Sequence, residues 1–183
     1  MTLRQVLISS ALTFAIATTA AAEVPPTKPA DHAAGNAFSL DDQARAQGAR
    51  ALESARASVR AADAAVAKAE AALRDRSRKT AETSREAAQH ASEAARTAAG
   101  DVQIAFREAS SENRVLFERS DEAARAAARD AGEAAAAAAA NDRAATQKAL
   151  QATRTAAQDA AAAAKRALAA LEAKPTKQQA EKK

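Results

Sequence analysis

The chain has no cysteine, tryptophan or tyrosine, and one methionine. Without cysteine there is no disulfide, no thiolate metal site and no lipidated cysteine. Histidine is limited to His32 and His90, and neither has a partner at metal-ligand spacing. There is no glycine-rich phosphate loop and no Ser/His/Asp constellation. Large apolar residues are also scarce. Past position 22 there are 16 Val, Ile, Leu and Phe among 161 residues. That is too little volume for a close-packed globular core, and so for a pocket that shifts a carboxylate pKa. The composition excludes an enzyme and calls for no cofactor and no metal.

Proline is missing between Pro29 and Pro175. Nothing in that interval forces a helix to stop. What fills it is alanine, 63 residues of 183. Low bulk hydrophobicity with many charges ordinarily means disorder. Alanine reverses that expectation, because it is the best helix former and loses no side-chain entropy on ordering.

The 99 residues from Leu73 to Leu171 divide into nine windows of eleven without insertion or deletion. The first, fourth, eighth and eleventh columns lie within about 80° of one another on a helix. Those columns hold 36 residues, of which only Arg76 and Asp142 are charged. The other columns hold 63, of which 28 are charged. The pattern predicts helix with one apolar face. From Ala49 to Leu73 the period is seven instead. Leu52, Val59, Val66 and Leu73 fall one heptad apart, with Ala55, Ala62 and Ala69 three residues after the first three. That predicts a coiled-coil seam of alternating large and small layers, or an amphipathic helix in a bundle.

The fold class expected is therefore all-α. It is long alanine-rich helix, heptad over 49–73 and eleven-residue repeats over 73–171. It forms either an elongated coiled coil or an antiparallel helical hairpin or bundle. Gly100-Asp101, Gly132 and Asn141-Asp142 resemble turn punctuation, yet the eleven-residue phase runs through all three. A loop ordinarily resets such a phase, so the expectation is continuous helix there. A fold-back is expected instead at 77–84 or 109–113, where Ser, Thr and Asn lower helix propensity.

Residues 102–117 are the most apolar part after position 22. Val102, Phe106, Leu116 and Phe117 lie on or beside the stripe, and with Leu52, Val59, Val66 and Leu73 they form the expected association seam. Ile104 and Val115 fall on the far side and suggest a second contact. A rival reading makes Val102–Phe106 and Val115–Phe117 paired strands, but an isolated hairpin is marginal in water.

At the start, Arg4, the apolar run Val6–Ala17 and Ala20-Ala21-Ala22 read as a signal peptide, 1–22, cleaved between Ala22 and Glu23. The alternative is an uncleaved anchor. No later segment is apolar enough to span a membrane. Residues 23–38 hold Pro25, Pro26 and Pro29 and read as a mobile leader. Ser39 is the expected N-cap of the helical region 39–173, with Asp41 and Asp42 in its first turn. Residues 174–183 read as a basic disordered tail after Pro175.

Residues 143–183 carry nine Lys/Arg against three Asp/Glu. That supports a solubilising end, or weak binding of an anionic polymer. No specific nucleic-acid motif is present. The ladder Arg74, Arg85, Arg96, Arg107 is interleaved with Asp75, Glu86 and Glu108 and reads as a solvated, ion-paired face.

Segments such as Thr83-Ser84-Arg85-Glu86-Ala87-Ala88-Gln89 resemble group 3 late embryogenesis abundant proteins. That resemblance implies a chain that is disordered when wet and helical when dried. It departs from that family in using arginine for lysine and in clustering large apolar residues at 102–117. Ice-binding helices of the same period repeat threonine in one column, whereas six threonines here are scattered over five. Lipid-surface helices need bulkier apolar faces. The alanine-rich stalks of periplasm-spanning envelope proteins are similar in composition. The function expected is an exported, periplasmic or secreted bacterial spacer or interaction protein of the cell envelope. Its partner is itself or another helical protein. A stress-protective, conditionally folded protein is the alternative.

Overall fold

A computed structural model describes the backbone of residues 30–173 and the side chains of residues 42–173. The expected signal peptide with its expected Ala22–Glu23 cleavage site, most of the expected leader and the expected basic tail lie outside these residues. The described chain is all-helical and contains no strand. It makes four helices: α1 (Ala30–Arg74), α2 (Arg78–Glu108), α3 (Arg114–Ala139) and α4 (Arg143–Ala173). α1 packs on α2 and α4, and α3 packs on α2 and α4. Consecutive helices run antiparallel, and the four close into a ring.

α1 begins at Ala30, so Ser39 falls inside the helix rather than at its N-cap. Residues 30–38, expected in the leader, are helical.

Each turn has a local cause. The first is Asp75–Ser77. The Ser77 hydroxyl accepts from the Thr80 backbone N–H at 3.2 Å, capping α2, and Ser77 N–H donates to the Asp75 carboxylate at 3.1 Å. The second is Ala109–Asn113, closed by Asn113 and Arg114 N–H groups donating to the Ser110 carbonyl at 2.9 and 3.0 Å. This is the 109–113 fold-back site expected from its weak propensity. The strand alternative for 102–117 fails here, because both of its halves are helical and the turn alone remains.

The third turn corrects the sequence expectation. Asn141 takes a left-handed φ of 58°. Asp142 N–H donates to the Ala137 carbonyl and Asn141 N–H to the Ala138 carbonyl, at 3.0 and 3.1 Å. That pair of hydrogen bonds is a Schellman C-terminus. Asp142 then caps α4, accepting from Ala145 N–H at 2.9 Å. One dipeptide ends a helix and starts the next. Gly100 and Gly132 behave as expected, lying within α2 and α3 with open space where a Cβ would stand.

Burial explains why the phase survived these turns. In α2 the buried residues step through Ser84, Ala88, Ala91, Ala95, Ala98, Val102, Ala105 and Ala109, alternating four and three. α1, α3 and α4 follow the same alternation. Across a turn the steps become four and four, as in Ala105, Ala109, Asn113 and Phe117. The extra residues bring each helix-plus-turn unit back into step with the elevens. Ser84, Phe117 and Leu150, each three windows after the last, are all buried. Within the stripe only Arg76, Ala139 and Asp142 are exposed, and all three lie at turns.

The layers in α1 also differ from expectation. Its buried line runs Ala51, Ala55, Ser58, Ala62, Ala65, Ala69 and Ala72, all small. Leu52, Val59, Val66 and Leu73 sit on its flank rather than alternating with alanine at its centre. Small side chains at the centre let helix backbones approach closely, which suits packing that depends on backbone proximity rather than side-chain bulk.

Candidate functional site

The large apolar side chains gather at the end of the ring where α2 turns into α3. Phe117, Val102 and Leu171 are fully buried there with Ala44, Ala51, Ala105 and Ala109, and Phe106 and Leu116 pack against them half-buried. Phe117 reaches across the ring toward α1 and α4. The position of a Cβ on Gly48 would lie 3.2 Å from its Cζ and 3.5 Å from Cδ1 of Leu168. Toward the opposite end Val66 and Leu150 join Ala88, Ala91 and Ala134. Between them Val59 packs on Ala95, Ala127, Ala131 and Ala157. Leu52 is buried and Leu73 half-buried. Of the residues expected to form an association seam, Val102, Phe106, Leu116 and Phe117 thus share one cluster, Val66 lies in a second and Val59 against a third, all within one chain. Ile104 and Val115 are left outside, 43% and 66% exposed.

The seam carries hydroxyls as well as methyls. Ser120 donates across the α3–α4 contact to the Ala160 carbonyl at 3.2 Å. Thr146 and Thr153 donate back into their own helix, to the Asp142 and Ala149 carbonyls at 2.6 and 2.9 Å. Each of these hydroxyls is satisfied by a carbonyl, so burial does not cost an unmade bond. The buried Ser58 hydroxyl has no protein partner.

Sequence reasoning missed a set of arginines at the helix ends. Arg143 donates to the Ala72 and Arg76 carbonyls at 3.1 and 3.3 Å, holding the end of α1 from the start of α4. Arg85 of α2 donates to the Asn141 side-chain oxygen at 2.9 Å and to the Ala138 carbonyl at 3.4 Å, at the end of α3. Arg114 of α3 donates to the Ala109 carbonyl at 3.3 Å, at the end of α2. Arg45 of α1 donates to the Leu171 carbonyl at 3.0 Å, near the end of α4. The ends of α1, α2 and α3, and the last described turn of α4, therefore each have an arginine from another helix on their carbonyls. The last four carbonyls of a helix lack intrahelical partners and carry the negative end of its dipole. Only a guanidinium offers a rigid fork of donors for two of them at once. The preference for arginine over lysine was the available signal. Arg85, part of the ladder that the sequence reads as a solvated face, is half-buried at a helix end.

Between helices, Arg154 pairs with Asp63 at 2.7 Å across α1 and α4, and Ser54 bonds Asp101 across α1 and α2. Asp121, nearly buried, is held by Arg125 at 2.7 Å.

A cavity of about 20 Å³ lies at the end opposite Phe117, lined by Ala72, Ser84, Asn141, Arg143 and Thr146 among others. It has room for about one water molecule. Among the described residues no group of His, Cys, Asp or Glu could hold a metal ion. No described helix is long and apolar enough to cross a membrane. No protein-family model, curated protein or solved structure matches this chain.

Proposed function

We propose that the protein is a non-enzymatic spacer or interaction protein of the bacterial cell envelope, exported by residues 1–22 and built as an antiparallel coiled-coil bundle. The observation that carries this reading is the use of the large side chains. Among the described residues nearly all of them serve to hold the four helices to one another, and charge is spread over the outside. Such an object presents shape and surface rather than a pocket. Its contacts with a second copy or another helical protein run through exposed helix faces, where Ile104 and Val115 supply the apolar area. Fractionation of cells producing the full chain tests the location. The expected result is periplasmic protein whose N-terminus is Glu23. Protein that keeps Met1 and pellets with membranes overturns it.

One observation favours a second reading, a stress-protective chain that folds conditionally. The seam is nearly all alanine, serine and threonine, and burying a methyl stabilises far less than burying leucine. Circular dichroism in dilute buffer separates the two. Strong helicity lost in one cooperative melt supports the spacer, and a coil spectrum that turns helical only on drying supports the protectant.

A further inference from the structure

The α2–α3 turn differs from the other two. Charge interrupts the apolar stripe at Arg76 in the first turn and at Asp142 in the third, so a helix running straight through either would carry a charge onto the buried face. The second turn has Ala109 at the equivalent position. The buried line also keeps its period there. Ala91, Val102, Asn113 and Ala124 are buried at intervals of eleven, and so are Ala98, Ala109, Ser120 and Ala131. Eleven residues make close to three turns, so one straight helix through 109–113 would keep all of them on one face.

Little backbone change separates this turn from helix. No residue in it takes a left-handed φ, in contrast to Asn141. Asn113 is already right-handed, with φ −98° and ψ −12°. The Arg114 N–H donates to the Ser110 carbonyl at 3.0 Å, which is the bond a continuous helix would make. The break is at Ala109, whose ψ of 141° is extended. Its carbonyl, which a continuous helix would give to the Asn113 N–H, takes the Arg114 guanidinium at 3.3 Å instead.

We propose that the α2–α3 turn also opens into helix, and that the hairpins it joins then pair with those of a second copy of the chain. α2 and α3 become one helix, Arg78–Ala139, about 90 Å long. The α1–α2 hairpin of one copy packs on the α3–α4 hairpin of the other, and the reverse. The α2–α3 and α1–α4 contacts pass from within a chain to between chains. A second copy is the occupant because it brings surfaces already fitted to one another, Gly48 of α1 to Phe117 of α3 and Asp63 of α1 to Arg154 of α4. Such an exchange is a low-cost route to a dimer, since only the hinge differs from the closed chain. Closure within one chain acts as an effective concentration in the millimolar range, so the exchanged dimer gains as the protein approaches about 1 mM. The proposal goes beyond the spacer reading and does not rest on it.

An Arg154→Lys variant of the full chain tests the exchange, because a zero-length carbodiimide can then join residue 154 to Asp63 across the α1–α4 contact. Isotope-labelled and unlabelled chains are unfolded, mixed in equal amounts and refolded at about 1 mM, and dimer is separated from monomer before cross-linking. In the dimer about half of the products joining 154 to 63 should link a labelled to an unlabelled chain, as random pairing of exchanged copies requires, and in the monomer none should. Ser110→Ala with Ser111→Ala should raise the dimer-to-monomer ratio by about tenfold, and Ser110→Gly with Ser111→Gly should lower it by about as much, since alanine favours helix and glycine opposes it. A dimer whose products are never mixed is a side-by-side dimer and overturns the proposal. Absence of dimer in the alanine variant, or a ratio indifferent to residues 110 and 111, overturns it as well.

Discussion

Gly48 and Phe117 fit together: the space where a Cβ on Gly48 would stand is bounded by the Phe117 ring at 3.2 Å. Phe117 is wholly buried, so its ring has little freedom to give way. Glycine inside a helix costs about 0.5–1 kcal/mol relative to alanine. At Gly48 that cost is offset by room for Phe117, the one buried phenylalanine among the described residues. Gly100 and Gly132 meet nothing within 4 Å and have no such return. Gly100→Ala and Gly132→Ala should therefore each stabilise by about 0.5–1 kcal/mol. Gly48→Ala should gain nothing and lose about 1 kcal/mol through the crowded ring. Thermal melts of the three variants check this, and equal gains at all three positions would refute the fit.

Packing is predicted to be sensitive in two directions. Phe117→Ala removes a fully buried ring and should cost about 3–5 kcal/mol. Ala131→Leu, in the tight middle layer with Ala95, Ala127 and Ala157, should cost about 1–3 kcal/mol by overpacking. Ile104→Ser and Val115→Ser should change stability by under about 0.5 kcal/mol, because both side chains already face solvent. Denaturant titration of these variants provides the readings.

The arginine at the start of α4 should act on the end of α1. Arg143→Met keeps length and removes both bonds, and should cost about 1–2 kcal/mol. Arg143→Lys keeps the charge and loses the fork, and should recover about half of that. Amide exchange should quicken near Ala72–Arg76, far along the chain from the substitution. Exchange that changes only around residue 143 would contradict the contact.

The α3–α4 turn rests on two neighbouring residues. Asn141→Val forces a β-branched side chain into a left-handed conformation and should cost about 1–2 kcal/mol, whereas Asn141→Gly should be close to neutral. Asp142→Ala removes the N-cap of α4 and should cost about 1 kcal/mol. Loss of the α4 cap shows as faster amide exchange at Ala145.

Charge cleared from one stripe gave away the helices and their buried face, as the exposure of Arg76, Ala139 and Asp142 alone within that stripe shows. The turn at 109–113 was legible because Ser110, Ser111 and Asn113 weaken helix together. At Asn141-Asp142 the residue chemistry points to a turn while the unbroken phase points to continuous helix, and the chemistry is right. Periodicity averages over helix and turn alike, so it is blind to a turn whose extra residues complete the period. The arginine contacts were not legible at all. Spacing along one helix cannot show which carbonyl of another helix a side chain will reach. For the same reason the seam residues Phe106, Leu116 and Phe117 are legible, but the sequence leaves open whether they pack within the chain as a hairpin or bundle or between chains as a coiled coil.

The three described turns contain no proline, for Pro29 precedes α1 and Pro175 follows α4. Of the four extensive helix contacts three join neighbours in sequence and the α1–α4 contact closes a long loop, with α2 and α4 touching only slightly across the middle. Chains built from such local contacts fold in milliseconds or faster. The usual slow events, prolyl isomerisation and disulfide exchange, have no residues to act on between Ala30 and Ala173. A helical region like this, once unfolded by heat, acid or passage through a narrow channel, recovers as fast as its helices can find one another. It needs neither an isomerase nor an oxidant to do so.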